Sequence, residues 1–523
     1  MALYKYFQLI QQITRTSPLA PSNKLRLILA IIALLTYKYR SHAIGTRRRD
    51  DLIEPKGAIP FFGHMFLMAS IPGTKLHDAF VKNYRELGPI WSISLPGIGR
   101  IIEGDTPEMV EHVNKTNFGA YEKGKHFTAI YADLLGKGIV LADGEEWKTQ
   151  RKQTAQVLNV KLFREYSSEM LYKETQKAID HLDKAAESGS VVDFQGLMHA
   201  FALDSFGSVL FGESLGCMEN IGGNVPFADA VSDLLSITSD RVVDPIWRLR
   251  EAVTKVGTKV RQNKVVLRQY IHRIIAKHRE QDWSDSDKKK DLLMLFIEAT
   301  DSEGKPYSDQ LIVDIMLNLV VGGRDTTAEG ISWMMYLLHR ESSDPAILKT
   351  LLTEVDEVLG DDLPTYEAHK KLKFAEACLY ETLRMFPALP RNMRRCMQDD
   401  IFPDGTKIYA GDYFTWSPYT MGRSERIWGP DVETFKPSRW LAGEKSASLS
   451  KFNPFHFGPR QCVGQGFAIL QAVTIMALIL KNFEVTLVEP GKLPAYGVGT
   501  TLPMADGLPI RVARRTREVL DKA

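Results

Sequence analysis

The 523-residue chain holds 44% hydrophobic and 25% charged residues at a net charge of +2, ordinary globular values that exclude a disordered or low-complexity chain. Its four cysteines, Cys217, Cys378, Cys396 and Cys462, are widely spaced without a C-x-x-C pair. That spacing argues against a disulfide framework and a structural zinc site, and favours a reducing, cytosol-facing location. Charge is unevenly placed: residues 1–49 carry nine Lys or Arg and no acid, leaving 57 basic and 64 acidic residues, a balance of −7, in the rest.

The first predicted element is amphipathic, with Leu3, Tyr6, Phe7, Ile10 and Ile13 at helical spacing beside Lys5 and glutamines, as in a helix lying in a membrane interface. Next comes LRLILAIIALLTYKY, Leu25 to Tyr39, uninterruptedly apolar from Leu27 to Leu35. As a helix it spans roughly 22 Å at about 1.5 Å per residue, against about 30 Å of hydrocarbon. A full crossing would need snorkelling ends or local thinning. No small-residue cleavage site follows, which sets a retained anchor above a signal or transit peptide. The cluster Arg47-Arg48-Arg49 follows instead and by the positive-inside rule stays cytoplasmic. Residues 1–49 are therefore expected to be an anchor region and 50–523 one catalytic body, mainly α with small β-sheets. IEPKGAIPFFGH, punctuated by Pro55, Pro60 and Gly63, is a stiff connector between them. Pro89 to Gly97 and Arg100 to Gly104 read as strands, and Glu280 to Asp291 as an exposed charged loop.

Within the body, DGEEWKTQRK puts Trp147 and Arg151 four residues apart on one helical face. They form either a stacked surface pair or two donors for one anionic group. Asp309 to Arg340, capped by Ser308, is apolar around most of its circumference and predicts a helix through the middle of the fold. Gly322 and Gly323 interrupt it, at about 1 kcal/mol each relative to alanine, and Arg324, Asp325, Thr326 and Thr327 add polar groups. A glycine pair can serve close packing, and a threonine can bond back to the preceding turn. All six residues together suit a flat ligand against the backbone, with an acid and hydroxyls beside it to move protons. Phe374 to Phe386, stopped by Pro387, carries Glu381 and Arg384 on one face among apolar neighbours, which points to a buried pair. Near the end stands FHFGPRQCVG, where Cys462 is either a small buried hydrophobe or an activated thiolate.

F-x-x-G-x-R-x-C-x-G is matched by Phe455, Gly458, Arg460, Cys462 and Gly464. Together with GGRDTT, ETLR, FKPSRW and WKTQR, in the expected order along the chain, it resembles the cytochrome P450 family from about Pro55 to about Val512. The resemblance implies the cytochrome P450 fold as a single large haem-binding domain, with haem b held by thiolate, a ligation general to these enzymes. Cys462 would be the axial ligand and Phe455 would pack near its sulfur. Arg460, backbone amides and the N-terminus of the following helix, from Gly466 onward, would keep it deprotonated. Trp147, Arg151, Arg394 and Arg460 would meet the haem propionates, Gly322 and Gly323 would form the groove over the ring, and Thr326 with Asp325 would deliver protons for oxygen activation. Glu381, Arg384 and Arg439 would form a structural lock. Gly322 stands where many relatives have alanine and where some have the glutamate that esterifies haem, so no covalent link is expected.

GRDTTA, LLGKGIVLADGEEWKTQRK and ETLRMFPALPRNMR resemble fungal and plant fatty-acid omega-hydroxylases. By that resemblance the substrate pocket would include Phe127, Leu319, Ala388, Leu389, Leu502 and Pro503, with Arg324 structural. The implied activity is insertion of one oxygen atom from O2 into a C–H bond of a fatty acid or alkane near its terminus. Alternatives are a tailoring oxidase of a terpenoid, sterol or other secondary metabolite, a haem-thiolate isomerase or dehydratase, and a non-catalytic haem protein. No G-x-G-x-x-G segment is present, so electrons from NADPH would come through a separate NADPH-cytochrome P450 reductase, with cytochrome b5 as a further candidate donor. The expected setting is the endoplasmic reticulum membrane, with no nucleic-acid partner.

Overall fold

The computed structural model describes residues 21–158, 161–244, 246–281, 290–300, 304–360, 366–441 and 449–516. The interfacial helix expected around Leu3 to Ile13 and most of the loop expected at 280–291 lie outside them. The architecture is mainly helical with small sheets. Two compact bodies are present: one runs to His126 and adds 391–421 and 457–459, the other comprises 127–390, 422–456 and the chain from Arg460 onward.

The first body begins with the 18-residue helix Pro21–Lys38. Proline suits a first helical turn, where its missing N–H would have no partner anyway. The helix is about 27 Å long at 1.5 Å per residue, and Leu25, Leu29, Ile32 and Leu34 are 58%, 55%, 45% and 68% exposed. Of the basic cluster, Arg49 is internal: it donates to both carboxylate oxygens of Asp51 (2.7 Å each) and to the Lys407 carbonyl (2.6 Å). A five-stranded sheet follows in the order Ile90–Leu95, Gly99–Gly104, Tyr413–Trp416, Asn392–Cys396, Tyr121–Glu122. The two strands expected near the beginning form its first antiparallel pair. Trp91 and Ile93 pack with Phe80 of the helix Leu76–Leu87, the rings of Phe80 and Trp91 lying 5.3 Å apart.

In the second body four long helices pack on one another: Lys161–Ser188, Phe194–Phe211, Asp309–His339 and Gln465–Asn482. The third is the expected central helix, 31 residues long, whose Ser308 cap accepts from the Leu311 N–H at 3.3 Å. Its apolar residues are buried on most sides because helices approach from several directions. Gln465–Asn482 alone among the described residues is long and apolar enough to cross a membrane, but 72% of it is buried, as a core helix requires. A three-stranded sheet, Val192–Asp193, Pro509–Arg514 and Phe483–Leu487, closes one edge.

Candidate functional site

The break in the central helix has two faces. At Gly322 an added Cβ would meet nothing within 4 Å, and Gly322 is exposed inside an otherwise buried helix. Thr326, one turn on, donates its hydroxyl to the Gly322 carbonyl at 2.6 Å. Such a back-bond satisfies the hydroxyl while leaving the small-residue face open. Gly323 differs from the expectation: a Cβ there would stand 1.9 Å from the Phe206 ring of Phe194–Phe211. It is a packing glycine, so the open groove on this helix belongs to Gly322. Phe206 also meets Phe467 edge-to-face at 5.3 Å, so one ring ties the helix break to the helix that follows Cys462.

Asp325 points toward other partners than Thr326 does. Its Oδ1 lies 3.1 Å from Arg324 and 3.3 Å from His199 Nδ1. Burial would raise this carboxyl, but the Arg324 charge and His199 outweigh it and hold it below the usual range. Arg324 also donates to Ser232 at 2.8 Å, in keeping with the structural role expected of it. Glu329, one turn beyond Asp325, is buried and accepts from the Thr501 hydroxyl and the Leu502 N–H, both at 2.8 Å. Burial, with Asp325 adding to it, pushes its carboxyl well above the usual range.

Among the four cysteines only Cys462 is exposed; Cys217, Cys378 and Cys396 are buried, and burial raises each of those thiols. The Cys462 N–H donates to the Phe455 carbonyl at 2.7 Å, closing the loop on itself. Although accessible, its sulfur is ringed by protein. Burial raises the thiol, while the Gly464 N–H and the Arg151 charge pull it down. Gly464 is also the N-cap of Gln465–Asn482, whose dipole favours negative charge there. Arg151 is carried by the helix Gly144–Leu158; burial lowers its pKa and proximity to Cys462 partly offsets that. Trp147, on the same helix, stacks under the Arg460 guanidinium at 4.3 Å. Arg460 donates to Asp143 (2.5 Å) and the Ala142 carbonyl (2.8 Å), an acidic partner that motif reading missed. Within the first body, Gly458 takes a left-handed φ of +68°, and a Cβ there would stand 2.0 Å from the Asn114 carbonyl oxygen. Arg394 lies on the strand Asn392–Cys396 of that body, opposite Phe414 and 1% exposed.

The expected lock is a dense network. Arg384 binds both oxygens of Glu381 (2.9 and 3.0 Å) and the carbonyls of Gly422, Val432 and Thr434. Trp440 Nε1 and the Lys436 N–H donate to the same carboxylate at 2.9 and 3.1 Å. Arg439 stands 3.6 Å from Glu381 and 3.1 Å from Asp431.

The expected pocket residues divide. Phe127, Leu319, Leu389 and Pro503 are partly accessible and Ala388 is nearly buried. Leu502 departs from expectation: it is 0% exposed, because Glu329 holds its N–H and Trp333 Nε1 donates to its carbonyl at 2.8 Å. Trp333 in turn stacks on Phe386 at 3.9 Å. Thr500 and Thr501 of that turn are also partly accessible, and the Thr500 hydroxyl meets the Tyr131 hydroxyl at 2.7 Å. The Tyr131 ring meets Phe127 at a tilt, with centroids 4.6 Å apart. Glu329 could have been noticed in sequence as a second acid four residues after Asp325 on an apolar helix; Tyr131, Thr500 and His199 carry no local signal.

A haem held by thiolate needs an accessible, cation-flanked sulfur and a bare backbone face. The donor set fits: Cys462 with the Gly464 N–H and Arg151 supplies the first, and Gly322 with Thr326 the second. Among the described residues no cluster of His, Cys, Asp or Glu could hold a metal ion by itself.

A family model described as "Cytochrome P450" matches residues 54–497. The chain is 32% identical to "Cytochrome P450 monooxygenase cyp1" of Mycosarcoma maydis over 94% of its own length and 79% of the relative's. It is also similar to two Arabidopsis thaliana proteins. "Cytochrome P450 94B1" is 32% identical over 80% of this chain and 82% of the relative, and "Cytochrome P450 86B1" is 30% identical over 80% and 78%.

Proposed function

The chain belongs to the cytochrome P450 family and is a haem-thiolate monooxygenase that needs a redox partner; from that premise we propose that it hydroxylates a fatty acid or alkane near its terminus. When bound, the haem supplies oxygen activation, favoured by electron density from its thiolate. Cys462 would hold it, with Arg151, Trp147 and Arg460 on its propionate side. The Gly322 and Thr326 face would admit the ring and keep one hydroxyl beside the reacting region. Phe127, Leu319, Ala388 and Leu389 would line the substrate's approach with apolar side chains, which suits an extended hydrocarbon chain.

The carrying observation is the engagement of Arg324. Its guanidinium is taken by Asp325 and Ser232, so it does not draw a carboxylate to the central helix. The apolar end of the chain is then what reaches Thr326. Motif resemblance to omega-hydroxylases points the same way.

The exposed apolar helix Pro21–Lys38 supports retention at the endoplasmic reticulum membrane. Electrons would come from NADPH through a separate reductase, with cytochrome b5 as a further candidate. The test is product analysis of enzyme reconstituted with haem, reductase and NADPH on fatty acids, alkanes, sterols and terpenes. Terminal or near-terminal alcohols from the linear chains are expected. Turnover confined to sterols or terpenes overturns the substrate assignment.

A further inference from the structure

A cavity of about 790 Å³ lies within the second body, on the side of the central helix where Arg324 projects. It opens to solvent at the exposed Lys184, Ser188 and Asn220 and is lined further in by half-buried His199, Ser232 and Arg324. Both partners of Asp325 therefore face this cavity. His199 keeps 19% of its side chain accessible while its Nδ1 stands 3.3 Å from Asp325 Oδ1.

We propose that His199 is the residue through which solvent protons reach Asp325. This rests on the reading that Asp325 and Thr326 serve oxygen activation. Hydroxylation balances as RH + O2 + 2 H⁺ + 2 e⁻ → ROH + H2O. The electrons come from NADPH through the reductase, and both protons must come from solvent. The Asp325 Oδ1 that faces His199 has no accessible surface, so this oxygen does not meet bulk water directly.

An imidazole is suited to the gap, since it takes a proton on one ring nitrogen and gives one from the other near neutral pH. A cavity acid protonates Nε2. The Nδ1–H bond then breaks as an O–H bond forms on Asp325, turning imidazolium and carboxylate into neutral imidazole and carboxylic acid. Rotation about the Asp325 Cα–Cβ bond swings the protonated carboxyl toward the Thr326 side. Turning of the ring into the open cavity resets its tautomer. Arg324 stays charged throughout and returns Asp325 to the carboxylate, which makes the acid a short-lived donor. His199 is thus a positioning and relay residue, acting on the reaction only through Asp325.

The test compares His199→Ala, His199→Gln and wild type in the reconstituted enzyme. The reduced carbon monoxide spectrum and thermal midpoint serve as controls for folding and haem. Product formed per NADPH is expected to fall at least about ten-fold in both variants, with peroxide released instead. The solvent deuterium isotope effect on product formation should rise in both variants, which a merely structural loss would not produce. A measurement without turnover follows the His199 ring nitrogens by 15N NMR, where Asp325→Asn should shift the Nδ1 resonance. Unchanged coupling in His199→Ala, or a loss with an unchanged solvent isotope effect, overturns the proposal. So does a His199 Nδ1 resonance indifferent to Asp325→Asn. Failure of the monooxygenase reading looks different, because wild type itself then yields no product from NADPH and O2.

Discussion

Glu381 with Arg384 and Asp325 with Arg324 are both carboxylate–guanidinium pairs carried on buried helices, yet they are answered to different degrees. Arg384 makes five hydrogen bonds and Glu381 four, counting Trp440 and Lys436. Neither side chain has accessible surface. Asp325 has two contacts beyond 3 Å, one to a histidine on a solvent-open cavity. Saturated pairing removes any freedom to exchange a proton or move, and it suits a lock that holds the chain around 422–440 in place. Incomplete pairing beside a cavity leaves an acid able to change state.

The comparison breaks first at the lock. Glu381→Ala strands a buried guanidinium and should cost about 3–5 kcal/mol, read as a lowered denaturation midpoint; a loss under about 1 kcal/mol would mean that the network is slack. Asp325→Asn should do the reverse, lowering product formation by about 10²-fold while stability moves by no more than about 1 kcal/mol. Equal stability losses in the two variants would erase the distinction.

The two glycines sharpen it at the level of packing. Gly323→Ala pushes a methyl into Phe206 and should destabilise by about 1–3 kcal/mol, less up to about 1 kcal/mol of regained helix propensity. Gly322→Ala meets open space and should be neutral or stabilising, with the haem spectrum retained. Reversal of that order contradicts the assignment of faces.

The smallest effect concerns Glu329, the acid between the two extremes. Because folding raises its carboxyl pKa, the folded state binds its proton more tightly than the unfolded state. That contribution is complete below the unfolded value of about 4.3 and is lost as pH rises toward the folded value. Glu329→Gln has no such loss, so it should gain on wild type as pH rises above about 5, by thermal midpoints measured across pH. A constant difference would mean that Glu329 stays ionised in the fold.

Helices declared by local chemistry were legible in the sequence. The central helix was expected from Asp309 to Arg340 and runs from Asp309 to His339, because its Ser308 cap and apolar run are local signals. Glu381 and Arg384 were placed together by spacing alone. The phase of the helix break was not legible. Whether Gly322 or Gly323 faces open space depends on Phe206, more than a hundred residues upstream, and the partners of Asp325 and Arg460 depend on His199 and Asp143. A motif names residues in order; which side of the helix each one faces is decided by the helices packed around it. Leu502 shows the same limit, since its burial follows from Glu329 and Trp333 gripping its backbone.

The most direct test is the reduced, carbon monoxide-bound spectrum of wild type beside single alanine variants of all four cysteines. A red-shifted Soret band of thiolate type is expected in wild type and in the Cys217, Cys378 and Cys396 variants, and should vanish only in Cys462→Ala. Persistence of that band in Cys462→Ala, or its absence from folded, haem-loaded wild type, would contradict the account.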